Sequence, residues 1–349
     1  MAGLCAVLLW LDPAQVGNGL AHFQLALLPA VLLLSVSTYV VQGVRWHFLL
    51  ADIGARMPLR DTVLVNLAGQ TITAILPLGD LTRAAFASSA TGRDFGDIAA
   101  TVTVQELSYT LILTLSALPA ILALGFGFAP VIPVALGIAA IVVILTVSPV
   151  FCRIHDLIAH IPGLNRLLPA IDELQAETAA LLHRPDALLL SLLDALRVCL
   201  AVTSFWLLLQ GVAPGHAGWW QAAFVLALSS IGGAISLIPG GAGANEASTA
   251  ALLIFLGFGR GAAGAVAVMQ RLLVTGLSLA LGLGAYAAIH RRLRLGGVLQ
   301  LFARPSAARA AVTGERQRRP RLRSQQVADS EGTEALAGVD ARRRTGAGR

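Results

Sequence analysis

Apolar residues fill whole segments of this chain instead of alternating or recurring on one helical face. The runs 25–44, 98–124, 131–151, 187–209, 219–238 and 262–289 are uninterrupted enough to read as spans. Each reaches about 20 residues, the length a helix needs to cross a hydrocarbon core of about 30 Å. Only helices and closed barrels satisfy every backbone polar group in lipid, so the pattern predicts an all-α polytopic membrane helix bundle. Two other segments are too short and too interrupted to span alone. The first, 62–78, carries Asn66, Gln70, Thr71 and Thr73 and ends in Leu76-Pro77-Leu78-Gly79-Asp80. The second opens with Ile238-Pro239-Gly240-Gly241-Ala242-Gly243-Ala244-Asn245-Glu246 and continues as a short apolar stretch to Phe258. Both read as broken or re-entrant hairpins, because irregular backbone at membrane depth is tolerated where protein or a wet cavity surrounds it.

Composition sharpens this. The 349 residues are 56% hydrophobic and 13% charged, with mean hydropathy +0.76, against about 45–50% and about 25% for soluble domains. All 25 basic residues are Arg, and 14 of them lie in 291–349 against five acids. The basic balance therefore belongs to the tail and does not argue for a nucleic-acid partner. Without apolar periodicity, 291–349 reads as an Arg-rich disordered cytoplasmic tail following a 1–290 polytopic domain. Its arginines suit anionic lipid at about 1 kcal/mol each, or serve only as a topology signal. Cys5, Cys152 and Cys199 form no CxxC pair and suggest neither a disulfide framework nor a metal site. The run 2–11 lacks a basic n-region and a cleavage site, so a removed signal peptide is not expected. It is short for a span, which leaves a late start or a helix that continues upstream.

Arginine also sets sidedness, because cytoplasmic loops collect it. Arg45, Arg56 and Arg60 flank the first long run, Arg83 and Arg93 precede the next, and Arg153, Arg166 and Arg184 occupy the 152–186 loop. The segments 12–24, 125–130 and 211–218 have none, and Trp219-Trp220 sits where an interfacial anchor belongs. This places the protein in the inner (plasma) membrane with the tail inside. The hairpin at 62–78 then opens to the cytoplasm and the one at 238–258 to the exterior, the arrangement that an inverted repeat produces.

Ionisable side chains inside a bilayer cost about 2.5–3.5 kcal/mol each on insertion scales, so they face protein or water and usually pair. Asp80, Glu106, Asp194 with Arg197, Glu246 and Arg271 are such residues. Asp194 and Arg197, three apart on one helix, are expected to neutralise each other. Asp80 and Arg83 share a helix face after the Pro77 and Gly79 break; Asp80 also suits a helix N-terminus, and Arg83 also suits snorkelling to the interface. Glu246 follows Pro239, Gly240, Gly241 and Gly243, whose freed N–H groups at a helix start suit an anion; it also suits a plain helix cap. No Walker A, HExxH or GxSxG motif is present, and IPGGAGANE follows an apolar helix, not the strand a dinucleotide site requires. No catalytic residue, metal or cofactor is expected.

The order Arg45-Trp46, LPLGDLTRA at 76–84, IPGGAGANEA at 238–247 and Arg271 in the last span resembles the lysylphosphatidylglycerol synthase transmembrane (flippase-like) family over most of residues 1–290. The resemblance implies a membrane domain, alone or fused to a soluble aminoacyl transferase, that moves phospholipids or glycolipid-like molecules between leaflets. Pro77, Gly79, Asp80 and Arg83 match its first motif; Pro239, Gly240, Gly241, Gly243 and Glu246 match its second. The family's Glu-Arg with a following Asp reads here as Gln105-Glu106-Leu107-Ser108-Tyr109-Thr110, so the Arg and Asp are missing. No transferase domain follows residue 290. The expectation is a lipid translocator in which an anionic headgroup enters a polar cavity between the broken helices, met by Arg83 and Arg271, while Asp80, Glu106 and Glu246 shape the cavity or bind a cation. A membrane-embedded enzyme acting on a lipid headgroup, and a non-transporting partner of a lipid-synthesis enzyme, are the alternatives. Oligomeric state is not encoded legibly.

Overall fold

The structure is a computed structural model, and it describes residues 13–73, 80–125, 151, 153, 187–236 and 241–293. The chain divides into two units, Met1–Leu295 and Gly296–Arg349, and every described residue lies in the first. The runs 2–11 and 131–150, most of the 152–186 loop and the tail beyond 293 lie outside the described residues. So do Pro77, Gly79, Pro239 and Gly240.

The described residues are all-α, with no strand among them. In order they form α1 (Pro13–Ala21), a 3₁₀ turn (Leu25–Leu27), α2 (Leu28–Asp52), α3 (Leu59–Thr73), α4 (Asp80–Thr91), α5 (Phe95–Ala123), α6 (Ala187–Val212), α7 (Trp219–Ile235), α8 (Ala244–Phe255) and α9 (Arg260–Arg271). A π-helical segment, Leu272–Gly276, joins α9 to α10 (Leu277–Leu293). Among the described residues, four stretches are long and apolar enough to cross a membrane: Leu25–Asp52, Phe95–Ala123, Leu190–Val212 and Arg260–Ile289. The helix expected over 219–238 stops at Ile235 with 17 residues, just short of the Pro-Gly-Gly break. Outward faces carry Leu33, Val40, Phe48, Leu111, Leu115, Leu192, Leu196 and Leu283, the inside-out surface that lipid solvates. The interior packs Val198, Val202, Phe205 and Leu209 of α6 against Phe224 of α7, Leu253 of α8 and Val266 of α9.

Helix lengths repeat. A long helix, two short ones and a long one (α2 to α5, with 25, 15, 12 and 29 residues) are followed, after residue 186, by the same series. There α6, α7 and α8 have 26, 17 and 12 residues, ahead of the long α9 to α10 stretch. At about 1.5 Å per residue, α3, α4, α7 and α8 are about 18–25 Å long and fall short of the hydrocarbon core. Each therefore works as half of a hairpin, α3 with α4 and α7 with α8.

Packing repeats in the same register. The first helices of the two series, α2 and α6, pack on each other. The second helix of each series packs on the last of the other, α3 on α10 and α7 on α5. Within each series the matching neighbours recur: α2 with α3 as α6 with α7, α3 with α4 as α7 with α8, and α4 with α5 as α8 with α9. An internal twofold repeat accounts for this list, with the halves exchanging their second and last helices.

Glycine makes the exchange possible. A Cβ on Gly282 of α10 would lie 2.7 Å from the backbone oxygen of Leu67 and against Thr71 of α3, whereas one on Gly284 would meet nothing within 4 Å. Overpacking a tight site costs about 1–3 kcal/mol. Gly282→Val is thus expected to lower the melting temperature of the detergent-purified protein and Gly284→Val to leave it unchanged; equal melting of the two would contradict the α3 to α10 contact.

Candidate functional site

Polar residues on α2 form one stripe, Gln42, Arg45 and Trp46, that continues as buried Leu49 and Leu50. Spacings of three and four place these on one face, and the face turns inward. Arg45 is 3% exposed, so it is not the interfacial cytoplasmic signal that its place beside the first apolar run suggested: α2 runs on to Asp52 and carries it into the bundle. Its Nε lies 2.8 Å from Asp194 Oδ2 on α6 and donates to the Leu190 carbonyl at 3.1 Å. Arg45 Nη1 is buried with no hydrogen-bond partner.

Arg83, in the first turns of α4, is fully buried, so it does not snorkel. Its Nη1 donates to Asn66 Oδ1 on α3 at 2.7 Å and to Gln105 Oε1 on α5 at 3.0 Å. Its Nη2 donates to Glu106 Oε1 at 2.9 Å. The guanidinium lies over the Trp46 ring at 5.4 Å, within cation–π range. The same Glu106 oxygen accepts from Gln42 Nε2 at 3.0 Å and from Arg197 Nη1 at 3.4 Å. Arg197 also lies over the Tyr109 ring at 4.0 Å. Gln105 in turn donates to the Gln42 carbonyl, and Asn66 and Gln70 donate to Gln42 Oε1.

Three guanidiniums, Arg45, Arg83 and Arg197, thus share two carboxylates, Glu106 and Asp194. All three donors to Glu106 take Oε1, and 33% of that side chain stays exposed. Among the described residues the cluster gathers three guanidiniums and two carboxylates, and Glu106 gives it an accessible side. Spacing aimed Asp194 at Arg197; the structure gives each a partner on another helix, Arg45 for Asp194 and Glu106 for Arg197.

The second cluster lies on α8 and α9. Gly243, at φ 91, is the N-cap of α8, a backbone conformation that glycine adopts at no steric cost. Its N–H donates to Glu246 Oε2 at 2.5 Å, and Glu246 Oε1 lies 3.3 Å from Arg271 Nε. Glu246 therefore caps its own helix and holds an arginine from the next. Gly241 also has positive φ, 63.

Of the residues singled out from sequence, Arg83 meets Glu106 and Glu246 meets Arg271. Asp80 is the first residue of α4, with a side chain outside the described set. Arg197 and Asp194, singled out as a pair, join the site with other partners, and Arg45, Gln42, Asn66, Gln70, Gln105 and Tyr109 join it without having been assigned to it. The available signal was amphipathic: Gln42 and Arg45, Asn66 and Gln70, and Gln105 and Tyr109 each recur at three or four residues inside apolar helices. Among the described residues no group of three His, Cys, Asp or Glu is placed to hold a metal, and Cys199 is a free, exposed thiol.

Membrane-spanning helices around a core of buried charges define a multi-pass membrane protein built about an intramembrane polar site. The sequence model of the lysylphosphatidylglycerol synthase TM region matches residues 2–282, and the chain belongs to that family. A comparison with curated proteins finds no match.

Removing one partner from a buried ion pair costs about 3–5 kcal/mol, whereas replacing both with apolar residues is often neutral. Asp194→Leu is therefore expected to lower the melting temperature sharply, and Arg45→Met combined with Asp194→Leu to recover most of the loss. A wild-type melting temperature for Asp194→Leu alone would contradict the pair.

Proposed function

We propose that the protein moves an anionic or related amphipathic lipid between leaflets, with the headgroup held at the Arg83, Arg197 and Glu106 cluster. The observation that carries this reading is the gathering of guanidiniums: Arg45, Arg83 and Arg197 come together about Glu106 and Asp194, and the shared Glu106 is exposed on one side. A phosphate-bearing headgroup accepts hydrogen bonds in the planar geometry arginine offers. Buried charge at this depth is costly to keep, which favours a functional use over a packing one. The short α3–α4 and α7–α8 hairpins end inside the bilayer, where a headgroup finds polar backbone while acyl chains stay in lipid.

In this reading the protein sits in the plasma membrane, with its C-terminal tail in the cytoplasm. The reading includes no catalytic step. The expected lipid partners are anionic.

The test is leaflet exchange of labelled phosphatidylglycerol in liposomes holding the full chain. Wild type is expected to exchange lipid, and Arg83→Ala and Glu106→Gln to slow it at least about tenfold, equivalent to about 1.4 kcal/mol. Wild-type liposomes no faster than protein-free ones, across several anionic lipids, would move the function to enzyme or scaffold. Sidedness is read separately by reporter fusions: one after residue 290 is expected to report cytoplasm, and one after residue 215 the exterior.

A further inference from the structure

The two halves carry their ion pairs at matching positions with the charges exchanged. In the first, Arg83 near the start of α4 pairs with Glu106, the twelfth residue of α5. In the second, Glu246 near the start of α8 pairs with Arg271, the twelfth residue of α9. In both halves glycines of the preceding helix lie against this helix start, at matching spacing though on different residues. Gly69 of α3 abuts Arg83, and Gly232 and Gly233 of α7 abut Ser248 and Asn245 of α8. Gly69 precedes Arg83 by 14 residues, as Gly232 precedes Glu246. Arginine and acid have traded places between otherwise equivalent sites.

The second site is short of donors. Glu246 is only 3% exposed. Its Oε2 is used by the Gly243 N–H, but its Oε1 has no hydrogen-bond partner, and Arg271 Nε faces it at ion-pair distance only, 3.3 Å. Beside it, Asn245 Oδ1 is also buried with no hydrogen-bond partner. Two neighbouring oxygens on one helical turn therefore accept nothing, and what satisfies two acceptors is a donor or a cation. Among the described residues, α7 brings no titratable side chain to α8, α8 holds only Glu246, and α9 brings Arg271, with Arg260 at its far end. A single carboxylate is a poor set for a divalent ion, which takes several oxygen ligands.

We infer that Glu246, with Asn245, is an exchangeable monovalent-cation site, held by Arg271 in this state and by an alkali ion when Arg271 leaves. This rests on the lipid-translocation reading and names what regulates it. Arg271 is placed to move, since it closes α9 where the chain enters the π-helical segment, and such segments cluster at functional sites in helices. Its release is also connected to the first cluster. The Tyr39 hydroxyl donates to the carbonyl of Val274 in the π-helical segment at 3.4 Å. The Tyr39 carbonyl accepts from Asn66 Nδ2 at 3.2 Å, and Asn66 Oδ1 accepts from Arg83 at 2.7 Å. A cation that frees Arg271 thereby bears on the helix that orients the headgroup site.

The experiment uses the purified full chain and reads melting temperature. Sodium, potassium and choline chlorides are compared at one ionic strength, and ²²Na⁺ retention is measured in parallel. A ligand bound only by the folded state raises the melting temperature with its concentration. Wild type is expected to respond to sodium or potassium over choline. Glu246→Gln, which keeps an acceptor for the Gly243 N–H, is expected to remove that response. Asn245→Ala is expected to shift the half-maximal cation concentration, and serves if Glu246→Gln does not fold. A response unchanged in both variants, or absent from wild type, overturns the inference. Leaflet exchange on the same preparations separates the two readings: exchange without a cation response sinks only the cation site, and a Glu246-dependent cation response without exchange sinks only lipid translocation.

Discussion

Oε1 of Glu106 is the point on which four helices converge. Gln42 of α2, Arg83 of α4 and Arg197 of α6 all donate to it from around α5. In a medium of low dielectric a lone carboxylate there would be prohibitive, and so would lone guanidiniums. Held together, they fix one another and bring the second series of helices, through α6, against the first. The neutral amides of Asn66, Gln70 and Gln105 complete the arrangement by taking up the directions the charges leave over. Lipid-facing leucines offer no comparable specificity, since lipid and the bundle interior are equally apolar to them.

From this constraint the rest of the architecture follows. The short helices α3, α4, α7 and α8 are each shorter than the hydrocarbon core and pack in pairs, α3 on α4 and α7 on α8. Arg83 and Glu246 sit at equivalent places in those hairpins, each reaching the twelfth residue of the following helix. The exchange of α3 onto α10 and of α7 onto α5 then closes the two halves on each other, the first through a contact at Gly282 that only glycine permits. In the proposed reading, opposite charge at equivalent positions would let one half attract an anion while the other keeps a site for a cation.

The sequence made the spans at 25–44, 98–124, 187–209 and 262–289 legible, because length and hydropathy decide whether a helix crosses lipid; it took 219–238 for a further span, whereas α7 there has 17 residues and packs on the short α8. Arg83, Glu106, Glu246 and Arg271 stood out because charge inside apolar runs is expensive. Arg45 did not, since an arginine at the end of an apolar run looks like a cytoplasmic flank until the helix is seen to continue to Asp52. Arg197 was assigned to Asp194 by spacing alone, and spacing carries no information about α5, which supplies Glu106 and Tyr109. Gln42, Asn66, Gln70 and Gln105 carry no charge and so raise no alarm in a hydropathy profile. The repeat was suggested by the two breaks; its register emerged only from helix lengths and neighbours, because the halves share little sequence.

The central claim is that the Arg83 and Arg197 guanidiniums hold an anionic headgroup inside the bilayer. Native mass spectrometry of the full chain, released from micelles containing equal amounts of phosphatidylglycerol and phosphatidylcholine, reads this directly. Wild type is predicted to retain phosphatidylglycerol preferentially, and Arg83→Gln with Arg197→Gln to lose the preference while remaining folded. Equal retention of the two lipids by wild type, or an undiminished preference in the folded double variant, would contradict it.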